Sequence, residues 1–126
     1  MSAVPDCVVA GHGDVVLFLH GVGGGAESWR PQIDYFSADF CAAAWNMPGY
    51  GNSILEGGMT FSGLARALLA LLDARGWDRV HLVGHSMGGM VAQELAVAHQ
   101  DRLLSLTLSA TSPAFGRPDG DFQKKF

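Results

Sequence analysis

The chain carries little charge, and that charge is not clustered. Only 16% of its 126 residues are charged, and eight basic against twelve acidic residues leave a net charge of −4. Proteins that bind phosphate backbones or anionic lipids concentrate lysine and arginine on one surface, and this sequence has no such cluster. We therefore expect neither nucleic acid nor a membrane as a partner.

Cysteine and long apolar segments are also scarce. Cys7 and Cys41 are the only cysteines and form no CxxC motif, which favours reduced thiols over a disulfide framework, although a single bridge between them stays open. The N-terminus lacks the basic and apolar regions of a signal peptide, and apolar runs such as residues 15–19 are far too short to span a bilayer. These features predict a soluble, cytoplasmic protein.

The composition that is present is that of a packed domain. Hydrophobic residues make up 48% of the chain and aromatic residues 10%, and the length suits one domain. A chain of this size buries roughly two-thirds of the surface that its unfolded form exposes, so its core needs no disulfide or metal.

Apolar runs and turn residues predict strands that alternate with helices. The pattern predicts strands over residues 8–10, 15–20, 40–45, 80–83 and 103–109, and helices over 28–36, 61–74 and 90–98. Such alternation is typical of an α/β architecture with a mostly parallel sheet and helices on both faces.

The first chemical motif is GHSMG at residues 84–88, directly after a predicted strand and before a helix. A serine on so tight a turn needs glycine two residues before and after it, because side chains there would collide. The turn would lift the hydroxyl of Ser86 above the sheet, next to the N–H groups of the helix N-terminus. A serine that merely caps the helix is the alternative.

A second motif, HGVGG at residues 20–24, follows a buried strand. Its glycines allow the backbone N–H of Val22 to turn toward the same pocket, as a second oxyanion donor beside the N–H of Met87. His20 is expected to brace this loop rather than carry protons.

The two motifs, together with PGYGNS at residues 48–53, resemble the N-terminal half of the α/β-hydrolase superfamily. The resemblance covers residues 8–112 and is nearest to small-molecule esterases, lactonases, enol-lactone hydrolases and carbon–carbon bond hydrolases. It implies Ser86 as nucleophile and the Val22 and Met87 amides as oxyanion hole. Because dehalogenase and epoxide hydrolase relatives have aspartate in place of this serine, it also implies an acyl-enzyme on Ser86.

The resemblance further implies a core over residues 1–112 and a tail over 113–126 where a cap insertion begins. Family members place the catalytic acid and histidine beyond residue 126. Chain geometry puts His81 roughly 16 Å and His99 roughly 18 Å from Ser86, and the turn should aim His85 away. We therefore expect an incomplete triad and a strand at 103–109 that needs a covering partner, either a second polypeptide or a copy of the chain.

Three other interpretations of the sequence compete with a hydrolase. Residues 21–26 also satisfy the dinucleotide pattern GxGxx[GA], but the next strand ends at Trp45 and Asn46 without the ribose-binding acid. His81 and His85 have HxxxH spacing, but a strand and turn would not bring them to one metal. A non-catalytic member of the fold that binds a ligand or partner is the remaining alternative.

The sequence thus predicts a serine hydrolase of a small ester, lactone or activated ketone, with no cofactor. Large apolar residues in such a sheet are usually core. Trp29, just after the Gly-rich loop, is the one residue predicted to contact substrate.

Overall fold

A five-stranded sheet organises the chain. The computed structural model describes residues 4–51 and 60–112. The strands lie in the order β1-β3-β2-β4-β5, with β1 antiparallel to β3 and the other neighbours parallel. They comprise β1 (Cys7–Ala10), β2 (Val15–Leu19), β3 (Cys41–Trp45), β4 (Val80–His85) and β5 (Leu103–Ser109). The predicted α/β architecture with a mostly parallel sheet is confirmed.

Within residues 4–51 and 60–112, three α-helices and two 3₁₀ turns connect the strands. The helices are α1 (Arg30–Phe36), α2 (Phe61–Arg75) and α3 (Met87–His99), and the 3₁₀ turns span Ala26–Trp29 and Gln100–Arg102. The single helix predicted over 28–36 is wrong in its first turn, since that turn is 3₁₀ and α1 begins just before Pro31. Proline has no backbone N–H, and residues in the first turn of a helix donate no intrahelical hydrogen bond, so Pro31 fits there.

Helix α2 begins at Phe61 as predicted and ends at Arg75, one residue beyond the predicted end at Ala74. The Thr60 hydroxyl accepts a hydrogen bond from the Gly63 N–H at 2.9 Å and caps the first turn. Gly76 adopts a left-handed φ of 70° at the other end, where its N–H and that of Trp77 bond to the last carbonyls.

Helices cover both faces of the sheet. All five residues of β2 are buried, as expected for its continuous apolar run. Leu17 and Leu19 pack with α2 and α3, whereas Val16 and Phe18 pack with Ile33 of α1. The residues of β2 therefore alternate between two separate apolar clusters.

Strand β5 differs from the other parallel strands because it lies at the sheet edge of the described chain. Leu104, Leu106 and Leu108 alternate along it and are 42%, 37% and 41% exposed. The sequence predicted this strand inside a larger sheet, and within residues 4–51 and 60–112 no further strand pairs with it. The predicted tail, 113–126, lies outside the described residues.

No helix in the described part of the chain is long and apolar enough to cross a membrane.

Two leucines paired across β4 and β5 test this difference in burial. Leu82 is fully buried, whereas its register partner Leu106 is partly exposed. In urea denaturation of the 126-residue chain, Leu82→Ala should lower the free energy of unfolding by about 2–5 kcal/mol because it leaves a cavity. Leu106→Ala should cost less than half as much. Equal losses would contradict an uncovered β5.

Candidate active site

The two sequence motifs meet at the carboxyl edge of the sheet. Parallel pairing places Leu19, the last residue of β2, opposite Gly84 of β4, so the loops that follow the two strands begin side by side. A Cβ built on Gly21 would lie 3.1 Å from the Ser86 Cβ and 3.5 Å from its Oγ. The predicted convergence of the two loops is therefore found.

Ser86 stands on a sharp turn between β4 and α3. Its φ of 55° and ψ of −119° lie in a region that side-chain-bearing residues rarely adopt. A Cβ on Gly84 would lie 2.6 Å from the Gly89 Cα, and one on Gly88 would collide with the Leu19 carbonyl oxygen. Glycine is required at both positions for the steric reason that the motif indicated.

The serine does not cap the helix that it precedes. Ser86 occupies the N-cap position of α3, but its side chain accepts no capping hydrogen bond. The Ser86 N–H donates to the Ser109 carbonyl at 3.0 Å, and the Ser86 carbonyl accepts from the Gly89 and Met90 N–H groups at 3.0 and 3.3 Å. Backbone contacts hold the turn and leave the hydroxyl to the adjoining cleft.

Helix α3 begins three residues earlier than predicted, at Met87 instead of Met90, and β4 extends to His85 instead of ending at Val83. The glycines of the motif predicted an irregular segment between β4 and α3 that is longer than the one in the structure. Strand pairing with β5 continues to the register pair His85 and Ser109, so only Ser86 separates β4 from α3.

His20 braces the Gly-rich loop as expected. It is 1% exposed, and its Nδ1 lies 2.8 Å from the Gly21 carbonyl while its Nε2 lies 3.0 Å from the Met47 N–H. Since a carbonyl only accepts and an N–H only donates, the ring is neutral with its proton on Nδ1. Burial lowers the pKa of His20, against a smaller opposite effect of the Gly21 bond. Both nitrogens are engaged, so His20 is not available as a base for Ser86.

The loop after β3 adds two contacts that sequence reasoning missed. The Asn46 Oδ1 accepts from the Ala26 N–H at 2.9 Å, and the Tyr50 hydroxyl accepts from the Gly23 N–H at 3.3 Å. From the sequence, Asn46 is predicted only as the end of a strand, and Tyr50 only as part of the PGYGNS motif. The signal that could have found both contacts is their place in the loop after β3, the strand next to β2.

The predicted oxyanion donors are the N–H groups of Val22 and Met87. Among the described residues, no acceptor takes a hydrogen bond from either group. The Val22 side chain is 62% exposed and the Met87 side chain is buried, so the two residues differ in packing. Their role as donors stays a prediction.

A cleft of about 470 Å³ opens beside Ser86. Trp29 forms part of its wall, as predicted for a substrate contact, and stacks on Phe18 with ring centroids 4.8 Å apart. Polar Ser28 and Gln32 also line it, which the sequence did not indicate. The complete lining is His20, Gly21, Val22, Gly24, Ser28, Trp29, Gln32, His85, Ser86 and Ser109.

No histidine in the described ranges hydrogen-bonds to the Ser86 hydroxyl. His85 lines the cleft, so the expectation that it is aimed away holds only in part, because its Nδ1 lies 3.3 Å from the Ser109 Oγ and its ring contacts Trp29. His81 pairs with Ser105 at 2.7 Å, and His99 ends α3 at its far end. Within the same ranges, His, Cys, Asp and Glu form no group of three able to hold a metal ion.

Comparisons with known proteins agree with this geometry. A family model described as the alpha/beta hydrolase fold matches residues 14–125. The RutD protein of Azorhizobium caulinodans, provisionally named a carbamate hydrolase, is 34% identical over 94% of this chain and 44% of its own length. The pimeloyl-[acyl-carrier protein] methyl ester esterase of Aeromonas hydrophila is 36% identical over 83% of this chain and 41% of its own.

The solved structure of a thermophilic esterase from Thermogutta terrifontis superposes with a TM-score of 0.84 at 28% identity. That match covers 90% of this chain and 43% of the esterase. The chain thus spans less than half the length of these proteins. The family match and the shared fold show that the chain belongs to the alpha/beta hydrolase fold family.

Proposed function

We propose that the chain carries the nucleophile and oxyanion hole of a serine hydrolase that acts on a small ester, lactone or activated ketone. The observation that supports this proposal most is the conformation of Ser86, which has a positive φ of 55° and does not cap α3 with its side chain. It faces a cleft beside Gly21 of the second motif. A half-buried serine on a strained turn at the wall of a cleft is the arrangement that acyl transfer needs.

The reaction proceeds in two steps. The Ser86 Oγ attacks the substrate carbonyl carbon while a general base takes its proton, and the resulting oxyanion accepts hydrogen bonds from the Val22 and Met87 N–H groups. Collapse breaks the bond to the leaving group, which receives the proton; it then departs, or in a lactone stays attached as a hydroxyl group of the acyl chain. Water then attacks the acyl-enzyme with help from the same base, releasing the acid and restoring Ser86. This chemistry needs no cofactor.

The cleft supports a small substrate. Its volume of about 470 Å³ falls in the range of sites for small molecules. Trp29 offers an apolar wall for the acyl or leaving group, and Gln32 offers a polar contact. The related methyl ester esterase and the provisionally named carbamate hydrolase both bear names for cleavage at a carbonyl carbon bonded to a heteroatom, which agrees with this substrate class.

The general base and its orienting acid are proposed to come from outside the described residues. His20 has both nitrogens engaged, and neither His81 nor His85 bonds to Ser86. A further polypeptide that pairs with β5 would cover its exposed leucines and bring the missing groups to the cleft. A second copy of this chain would cover the leucines but would add only the same histidines.

A non-catalytic binding module is the second candidate. The observation that favours it is the same lack of a base for Ser86 among the described residues. Such a protein would bind a ligand in the cleft beside Trp29 and leave it unchanged. Reaction of Ser86 with an acylating or phosphonylating agent separates the two candidates.

Replacement of the nucleophile tests the proposal. In the assembly that carries the general base, Ser86→Ala should lower kcat on p-nitrophenyl esters by about 10⁶-fold. A fluorophosphonate should add one label to the wild type, located on Ser86 by peptide mass spectrometry. Ser37→Ala, which removes a hydroxyl just after α1, is the matched control and should retain activity and label. An active Ser86→Ala protein, or a label elsewhere, contradicts the assignment.

A pair of substitutions at Val22 tests the oxyanion loop. Val22→Pro removes the N–H, so kcat should fall by about 10²–10³-fold while KM changes less. Val22→Ala keeps the N–H and trims a side chain that is already mostly exposed, so it should keep nearly full activity. Circular dichroism checks the fold of both. Normal turnover by a folded Val22→Pro protein would show that Val22 is not a donor.

A further inference from the structure

The last residue of β5 and a residue just beyond it contact both backbone polar groups of the nucleophile residue. The Ser86 N–H donates to the Ser109 carbonyl at 3.0 Å. Two residues later, the Thr111 hydroxyl donates to the Ser86 carbonyl at 2.6 Å. The second contact is a side-chain bond of a residue that neither the sequence motifs nor the proposed reaction includes.

The Ser86 carbonyl and the Met87 N–H belong to one peptide unit. A trans peptide is planar, so these two bonds point in opposite directions and rotate together. Any group that fixes the direction of the Ser86 carbonyl therefore also fixes the direction of the Met87 N–H. Met87 is a proposed oxyanion donor, and the Thr111 hydroxyl therefore bonds to the carbonyl end of the same peptide group whose N–H is that donor.

Thr111 is itself held tightly against the turn. A Cβ built on Gly89 would lie 2.6 Å from the Thr111 side chain, so glycine at that position makes room for the threonine. Ala110 adopts a positive φ of 50°, which turns the chain back toward Ser86. The Gln93 Nε2 donates to the Gly89 and Ser112 carbonyls at 3.2 and 3.1 Å, and so ties α3 to the same segment.

We propose that Thr111 is a positioning residue for the oxyanion hole. Together with the Gly89 and Met90 N–H groups, which bond to the same carbonyl, its hydroxyl holds the peptide between Ser86 and Met87 at the angle that aims the Met87 N–H at the oxyanion. A hydrogen bond accepted by an amide oxygen also polarises the N–H of the same amide, which strengthens that donor. The inference rests on the proposed serine hydrolase function, and it adds a residue to it.

The test compares three substitutions in the catalytically complete assembly. Thr111→Val removes the hydroxyl at nearly constant shape and should lower kcat about tenfold with KM within about twofold, the effect of losing one hydrogen bond that acts on the transition state. Thr111→Ser keeps the hydroxyl and should restore most of the activity. Ser37→Ala removes a hydroxyl just after α1, away from the cleft and from β5, and should leave both constants unchanged.

A second readout separates positioning from a structural role. A trifluoromethyl ketone bound to Ser86 carries an oxyanion, so its inhibition constant should rise in Thr111→Val by about the factor that kcat/KM falls. An inhibitor that resembles the uncharged substrate should bind as before. If both inhibitors weaken equally, the threonine supports the fold alone and the proposal is overturned.

Two controls keep the outcomes distinct. Wild-type protein is first labelled with the fluorophosphonate, and failure to label Ser86 would overturn the serine hydrolase function together with this inference. If the wild type is labelled on Ser86 but Thr111→Val has unchanged kcat and inhibition constants, only the role of Thr111 is overturned. If Thr111→Val shows no cooperative thermal unfolding transition, Thr111→Ala and Thr111→Ser provide the same comparison, because alanine and serine differ only by the hydroxyl.

Discussion

The parallel pairing of β2 with β4 is the constraint on which the site depends. It places the ends of two buried strands side by side, so that the loop after β2 and the turn after β4 must share one small space. Glycine stands at two of these contacts: a Cβ on Gly21 would lie only 3.1 Å from the Ser86 Cβ, and one on Gly88 would collide with the Leu19 carbonyl. Ser86 keeps its strained conformation within this space because neighbouring backbone groups hold it.

Most of the fold can be predicted from the sequence because its local signals agree with one another. The continuous apolar run of β2 indicates a strand buried on both faces, and Thr60 and Gly76 mark the ends of α2. Element boundaries near Ser86 are harder to predict, since pairing with β5 extends β4 to His85 and helical hydrogen bonding starts α3 at Met87. The end of β4 depends on pairing with a strand distant in sequence, which local periodicity does not contain.

In the site, too, features set by local sequence can be predicted and features set by distant contacts cannot. Glycine spacing around Ser86 and the Gly-rich loop reveals where the nucleophile and its neighbour lie, because steric limits act locally. The supporting contacts of Asn46, Tyr50 and Thr111 could not be predicted, since each joins residues that are 20 or more positions apart and depends on tertiary register. The supports of the catalytic loops are thus tertiary features, whereas the loops themselves are sequence features.

The most direct test of the account is a crystal structure of the catalytically complete protein after reaction with a fluorophosphonate. The account predicts phosphorus bonded to the Ser86 Oγ and a phosphoryl oxygen at about 2.7–3.1 Å from both the Val22 and Met87 nitrogens. It also predicts that the Thr111 hydroxyl still contacts the Ser86 carbonyl. An adduct on another residue, or a phosphoryl oxygen that points away from both amides, would contradict the account.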